Sequence, residues 1–130
     1  MKILRIIVIT VACVLFAGVA AEAADLFSPP LFPAINQFVA CQIANVSGRI
    51  RTVQWELLSD AGLVAASGGP FNVDPGQAVG GYLVIDGAHY GANYYCHFVV
   101  QGTNTSQYRA AIKLSNLNNG GGDLLALSAD

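Results

Sequence analysis

Asp86, His89, Tyr90, Tyr95 and His97 fall within twelve positions of one another, with Cys96 between the last two. Such residue types could in principle support acid–base or metal chemistry. His89 and His97 are the only histidines. A zinc site needs three or four converging ligands, so both would have to recruit carboxylates from elsewhere in the chain. A blue-copper centre calls for a free cysteine, histidines and usually an axial methionine, and the single methionine is Met1. A loop histidine and a solvent-face histidine account for the pair more simply than a metal site does, and no cofactor is expected. Nucleophilic chemistry has no better footing. Ser47, Ser59, Ser67, Ser106, Ser115 and Ser128 occupy turn-like settings, none in a nucleophile-elbow pattern. Gly120-Gly121-Gly122 does not open a helix after a strand, as a phosphate-cradling loop would. No catalytic residue is assigned.

The compartment bears on the cysteines. Lys2 and Arg5 precede a nearly unbroken apolar run over residues 6–20, and Ala21-Glu22-Ala23 gives the small, any, small pattern of a signal-peptidase site. Residues 1–23 are therefore expected to be a signal peptide, too short for a membrane span, and Cys13 leaves with it. Export puts the remainder in a periplasmic or secreted setting, where disulfides persist, and Cys41 and Cys96 are expected to pair. What remains has four basic residues, Arg49, Arg51, Arg109 and Lys113, against seven acidic ones. It has no basic patch for a nucleic acid, and no membrane attachment once the signal is gone. With 54% hydrophobic and 11% charged residues, the chain is suited to a packed core rather than disorder.

Period-two alternation between turn signals predicts a mostly β domain over residues 35–130, preceded by a proline-rich extended arm over 24–34. The simplest role for the arm is to cover a sheet edge with Leu26, Phe27 and Phe32. Strands are expected over 37–45, 50–58, 63–66, 77–85, 93–101 and 108–115, with a last short segment at 124–127. Ser67-Gly68-Gly69-Pro70 should close the third, Asp74-Pro75-Gly76 should form a tight turn, and Gly80-Gly81 should mark a bulge or bend. Residues 93–101 and 108–115 are read as a hairpin across a polar loop. Parity turns Tyr94, Cys96, Phe98 and Val100 inward, and Asn93, Tyr95, His97 and Gln101 outward. The fold class is all-β: a two-sheet antiparallel, immunoglobulin-like sandwich of about seven strands with one inter-sheet disulfide.

Cys41, Trp55 and the run Ala92-Asn93-Tyr94-Tyr95-Cys96 resemble the immunoglobulin pattern, over roughly residues 41–114. In that family two sheet-bridging cysteines pack on a buried tryptophan, and a tyrosine two before the second cysteine bonds back to upstream backbone. The resemblance implies a core built on Trp55, Tyr94 and Phe98, with Tyr94 as the corner tyrosine. Tyr90 stands where the family usually has an acidic residue. The chain also resembles many small exported bacterial proteins. Neither likeness carries a function.

If strands 50–58, 93–101 and 108–115 are neighbours, their outer face collects Gln54, Glu56, Tyr95, His97, Gln101, Arg109 and Lys113. Glu56 would then pair with Arg109 or Lys113. That face, and the loop with His89 and Tyr90, are the candidate surfaces for a protein or glycan, although a solvated face explains the same composition. The leading expectation is a non-catalytic binding or structural protein of the periplasm, envelope or extracellular space. The alternatives are a small hydrolase or metal-dependent enzyme around Asp86, His89, Tyr95 and His97, and a subunit of a surface assembly that lends residues 26–33 or 124–127 as an added strand. Asn45-Val46-Ser47 and Asn104-Thr105-Ser106 match the N-glycosylation pattern, with Asn104 the better placed of the two.

Overall fold

The computed structural model describes residues 22–119 and 123–129. The expected signal segment, apart from Glu22 and Ala23, and the triplet Gly120-Gly121-Gly122 lie outside them. Eight strands form two four-stranded antiparallel sheets. They are β1 (Ala23–Phe27), β2 (Gln37–Asn45), β3 (Arg51–Ser59), β4 (Val64–Val73), β5 (Ala78–Val84), β6 (Tyr94–Gln101), β7 (Tyr108–Asn116) and β8 (Asp123–Ser128). Sheet A has the order β1-β6-β3-β4 and sheet B the order β5-β2-β7-β8.

Alternation builds the core as read from the sequence. Val39, Cys41 and Ile43 of β2 are buried, as are Val53, Trp55 and Leu57 of β3 and Tyr94, Cys96, Phe98 and Val100 of β6. Each fully buried aliphatic or aromatic side chain of this kind contributes roughly 1.5–3 kcal/mol relative to exposure. Cys41 and Cys96 form a disulfide between the two sheets, and each sits on an interior strand.

Trp55 shapes the strands around it. A methyl group on Gly68 would lie 2.7 Å from the indole nitrogen, and one on Gly81 would overlap the six-membered ring. Both glycines therefore make room for the indole. Gly80-Gly81 accordingly marks a close approach and not a bulge, since β5 pairs with β2 without a register break.

Four further expectations are corrected. Residues 93–101 and 108–115 form no hairpin: β6 lies in sheet A and β7 in sheet B, paired to β2 from Gln37↔Asn116 to Asn45↔Tyr108. A 3-10 turn, Thr105–Gln107, with Asn104 accepting from the Ser106 amide, redirects the chain between the sheets. The short strand at 63–66 is instead the ten-residue β4, which runs through Ser67-Gly68-Gly69-Pro70. Its place at the sheet edge tolerates the proline, and two register shifts absorb the irregularity. The arm, finally, starts as β1, paired with β6 from Ala23↔Gln101 to Phe27↔His97. It buries Leu26 and Leu31, while Phe27 and Phe32 stay exposed. Among the described residues the strands number eight, where about seven are expected.

Past β1 the chain keeps its hold on β6. Ser28 donates its amide to the Cys96 carbonyl, and its Oγ accepts from the Cys96 amide at 2.8 Å. Leu31 then exchanges backbone hydrogen bonds with Tyr94.

Candidate functional site

The outer face of sheet A holds the most developed polar cluster. His97 projects outward from β6 between its two neighbours. Its Nδ1 lies 3.1 Å from Glu56 Oε2 on β3, and its Nε2 lies 2.8 Å from Asp25 Oδ1 on β1. Phe27, directly opposite in the β1–β6 register, stacks on the imidazole at a centroid distance of 4.6 Å and an interplanar angle of 6°. Tyr95, two positions before His97, meets the Phe27 ring at a tilt, with centroids 6.5 Å apart. Through its two nitrogens the His97 ring reaches a carboxylate on each neighbouring strand, so β1, β6 and β3 meet at one side chain. Gln54 stands on the same face opposite Val99, and Gln101 Oε1 accepts from the Thr52 amide at 3.1 Å.

Arg109 and Lys113 are not part of this cluster, because β7 belongs to the other sheet. Glu56 therefore pairs with His97 and not with either cation. Arg109 bends back along its own strand, donating from Nη1 to the Tyr108 carbonyl at 2.8 Å and the Ser106 carbonyl at 3.0 Å. Lys113 stands on the outer face of sheet B, between Ala40 and Ala126 in register.

The segment 86–93 is organised by Asp86. Its Oδ1 accepts from the Ala88 and His89 amides and lies 2.7 Å from His89 Nδ1. The His89 side-chain hydrogen bond, the largest effect, holds the Asp86 carboxyl below its usual range, with the amide bonds adding to it. Tyr94, at the start of β6, donates its hydroxyl to the His89 carbonyl at 2.7 Å. Burial raises its pKa, reinforced by the nearby charges of Asp60 and Asp86. Tyr90 is exposed and meets Phe32 of the arm edge-on at 6.2 Å.

Histidines 89 and 97 thus sit in separate settings, each bonded to carboxylates, and Tyr95 joins only the second. Among the described residues no three of His, Cys, Asp and Glu are arranged to hold a metal ion.

The sequence reading missed Asp25 and Phe27 as members of the His97 cluster. The parity of Leu26, inward between two outward neighbours, is the signal that points to them. It also missed Asn45, noted only as a glycosylation acceptor. Asn45 is fully buried, with Nδ2 donating to Arg49 O and Val73 O and Oδ1 accepting from the Ser47 amide and hydroxyl. It pins the end of β2 to the following loop and to β4. Asn104 is exposed, with its Oδ1 occupied in capping the 3-10 turn.

Compared with known proteins, the chain matches no family model, no curated protein and no solved structure.

Proposed function

We propose that this is an exported, non-catalytic sandwich that binds a protein partner outside the cytoplasm through the outer face of sheet A and the adjoining arm. The observation that carries the reading is a pair of aromatic contacts made by exposed phenylalanines of the arm, Phe27 with Tyr95 and Phe32 with Tyr90. Phe27, Phe32 and Tyr90 are 48%, 55% and 52% exposed although ordered against neighbours. Rigid exposed aromatics rimmed by polar groups are the composition of interface centres, because they bury large area at small entropic cost. The His97 cross-link supports this by fixing the strand that presents Phe27. Exposed aromatic pairs with a polar surround suit a protein surface. Export is supported by the apolar leader, its Ala21-Glu22-Ala23 site and a disulfide of the kind that persists in oxidising compartments.

The test is site-specific photo-crosslinking in the native extracytoplasmic fraction. A crosslinking amino acid in place of Phe27 is expected to capture a discrete protein, with capture reduced by Phe32→Ser. The same group in place of Leu63, on the turn between β3 and β4, should capture none. Equal capture from both positions, or none from Phe27, would overturn the reading, and a carbohydrate product would overturn the partner class.

A further inference from the structure

The two sheets have four edge strands, and three are protected against pairing with another chain. β1 carries Asp25 and runs into Pro29-Pro30, β4 contains Pro70 and two register shifts, and the pairing of β8 with β7 is broken by a register shift between Leu114 and Ser115. These are the usual devices that blunt a sheet edge. The strand β5, Ala78-Val79-Gly80-Gly81-Tyr82-Leu83-Val84, carries no charge and no proline and keeps an unbroken seven-pair register with β2, with β4 of the other sheet packed beside it. Two exposed apolar side chains, Tyr82 at 66% and Val84 at 40%, stand on it.

The ladder fixes which backbone groups are free. Gln77 O accepts from Asn45 N, and Ile85 N donates to Gln37 O. Antiparallel alternation therefore directs the groups of Val79, Gly81 and Leu83 toward β2, and those of Ala78, Gly80, Tyr82 and Val84 toward the open edge. Those four residues are the exposed ones of the strand.

We infer that β5 is a self-association edge: two copies of this chain pair β5 against β5, antiparallel, about a two-fold axis at Gly81. This register is self-complementary. It sets Gly81 against Gly81, Gly80 against Tyr82 of the second copy, and Ala78 against Val84. The last two are the positions whose backbone groups face outward, so hydrogen-bonded pairs form where donors and acceptors are free. Each Tyr82 then crosses a glycine of the other copy, an arrangement in which an aromatic ring covers backbone that lacks a side chain. A hollow of about 350 Å³ beside Gly80, walled by Phe38 and Tyr82, lies next to the incoming ring. Phe38, half-buried on β2, and Tyr82 contact each other at 5.6 Å. The product is a closed isologous dimer that joins two four-stranded sheets into one. The outer face of sheet A stays open, so the inference does not depend on the proposed partner surface.

Sedimentation velocity of the disulfide-bonded chain across a concentration series tests this. The wild-type chain is expected to dimerise. Ala78→Lys with Val84→Lys puts like charges opposite one another at both ends, and should weaken the dimer by roughly tenfold or more. Ala78→Lys with Val84→Glu makes the same positions complementary and should restore it, which reads the register itself. Tyr82→Ser, which leaves the ladder intact, should also weaken it. Circular dichroism confirms that each variant is folded. A wild-type monomer at all concentrations, or a Lys/Lys variant that dimerises like wild type, would overturn the inference. A Lys/Glu variant as weak as Lys/Lys would overturn the Gly81 axis.

Discussion

At the scale of single residues, the most constrained position is the Trp55 indole, lodged between Gly68 of β4 and Gly81 of β5. Neither position has space for a side chain, because the ring lies where a β-carbon would go. The sequence shows two glycine pairs that read as turn or bulge signals, and both turn out to lie inside strands. Gly81→Ala is accordingly expected to lower stability by about 1–3 kcal/mol, the range for forcing an extra methyl into a packed interior. The same change at Gly48, whose β-carbon would meet nothing, is expected to be close to neutral. Urea unfolding midpoints of the two variants check this, and equal stabilities would remove Trp55 as the reason for the glycine. Asn45 shows the same dependence on context. Its four hydrogen bonds leave no free amide group, so the acceptor pattern around it is a structural hub in the folded protein.

At the scale of elements, two tyrosines act alike. Tyr94 opens β6 and donates to His89 O; Tyr108 opens β7 and donates to Gln101 O at 2.6 Å. Each phenol fastens the segment before its strand, and burial raises the pKa of both, with Arg51 opposing the rise at Tyr108. A phenol with a raised folded pKa keeps its proton longer in the native state than in the unfolded chain. Its contribution is fully present below the unfolded value of about 10 and falls as pH rises from there through the folded value. The limiting slope is about 1.4 kcal/mol per pH unit for each tyrosine. Tyr94→Phe and Tyr108→Phe should each flatten the alkaline limb of a stability profile while costing about 1 kcal/mol at neutral pH from the lost bond. An alkaline limb unchanged in the double variant would contradict this. Inward parity in β2, β3 and β6 is legible in the sequence because it depends only on neighbours two positions apart. The sheet a strand joins is not, since β7 shows the same alternation whether it pairs with β6 or with β2. For that reason alternation alone puts Arg109 and Lys113 beside His97, whereas β7 belongs to the other sheet. β1 was hidden for a different reason: five residues are too few to show a period, and the prolines just after them dominate the local composition.

At the scale of the whole molecule, one disulfide bridges two sheets whose facing surfaces otherwise meet through side-chain packing. β2 is flanked by β5 and β7, and β6 by β1 and β3, so the Cys41–Cys96 bond connects the middle of one sheet to the middle of the other. The two cysteines are separated by 55 positions, for which loop-closure entropy in the unfolded chain is worth about 4 kcal/mol. A domain of this size typically has a total margin of about 5–15 kcal/mol, so the bond supplies a large share of it. Cys96→Ser, or reduction of the wild type, is therefore expected to lower unfolding stability by about 2–5 kcal/mol. It should also steepen the dependence on denaturant, because the uncrosslinked unfolded chain exposes more surface. The His97 contacts to Asp25 and Glu56 should not compensate, since they tie strands within sheet A and do nothing to hold sheet B against it. Chemical denaturation of the oxidised and reduced forms, followed by Trp55 fluorescence, measures both quantities. A reduced protein as stable as the oxidised one would mean that the packing of Val39, Ile43, Leu57 and Phe98 holds the sheets together unaided.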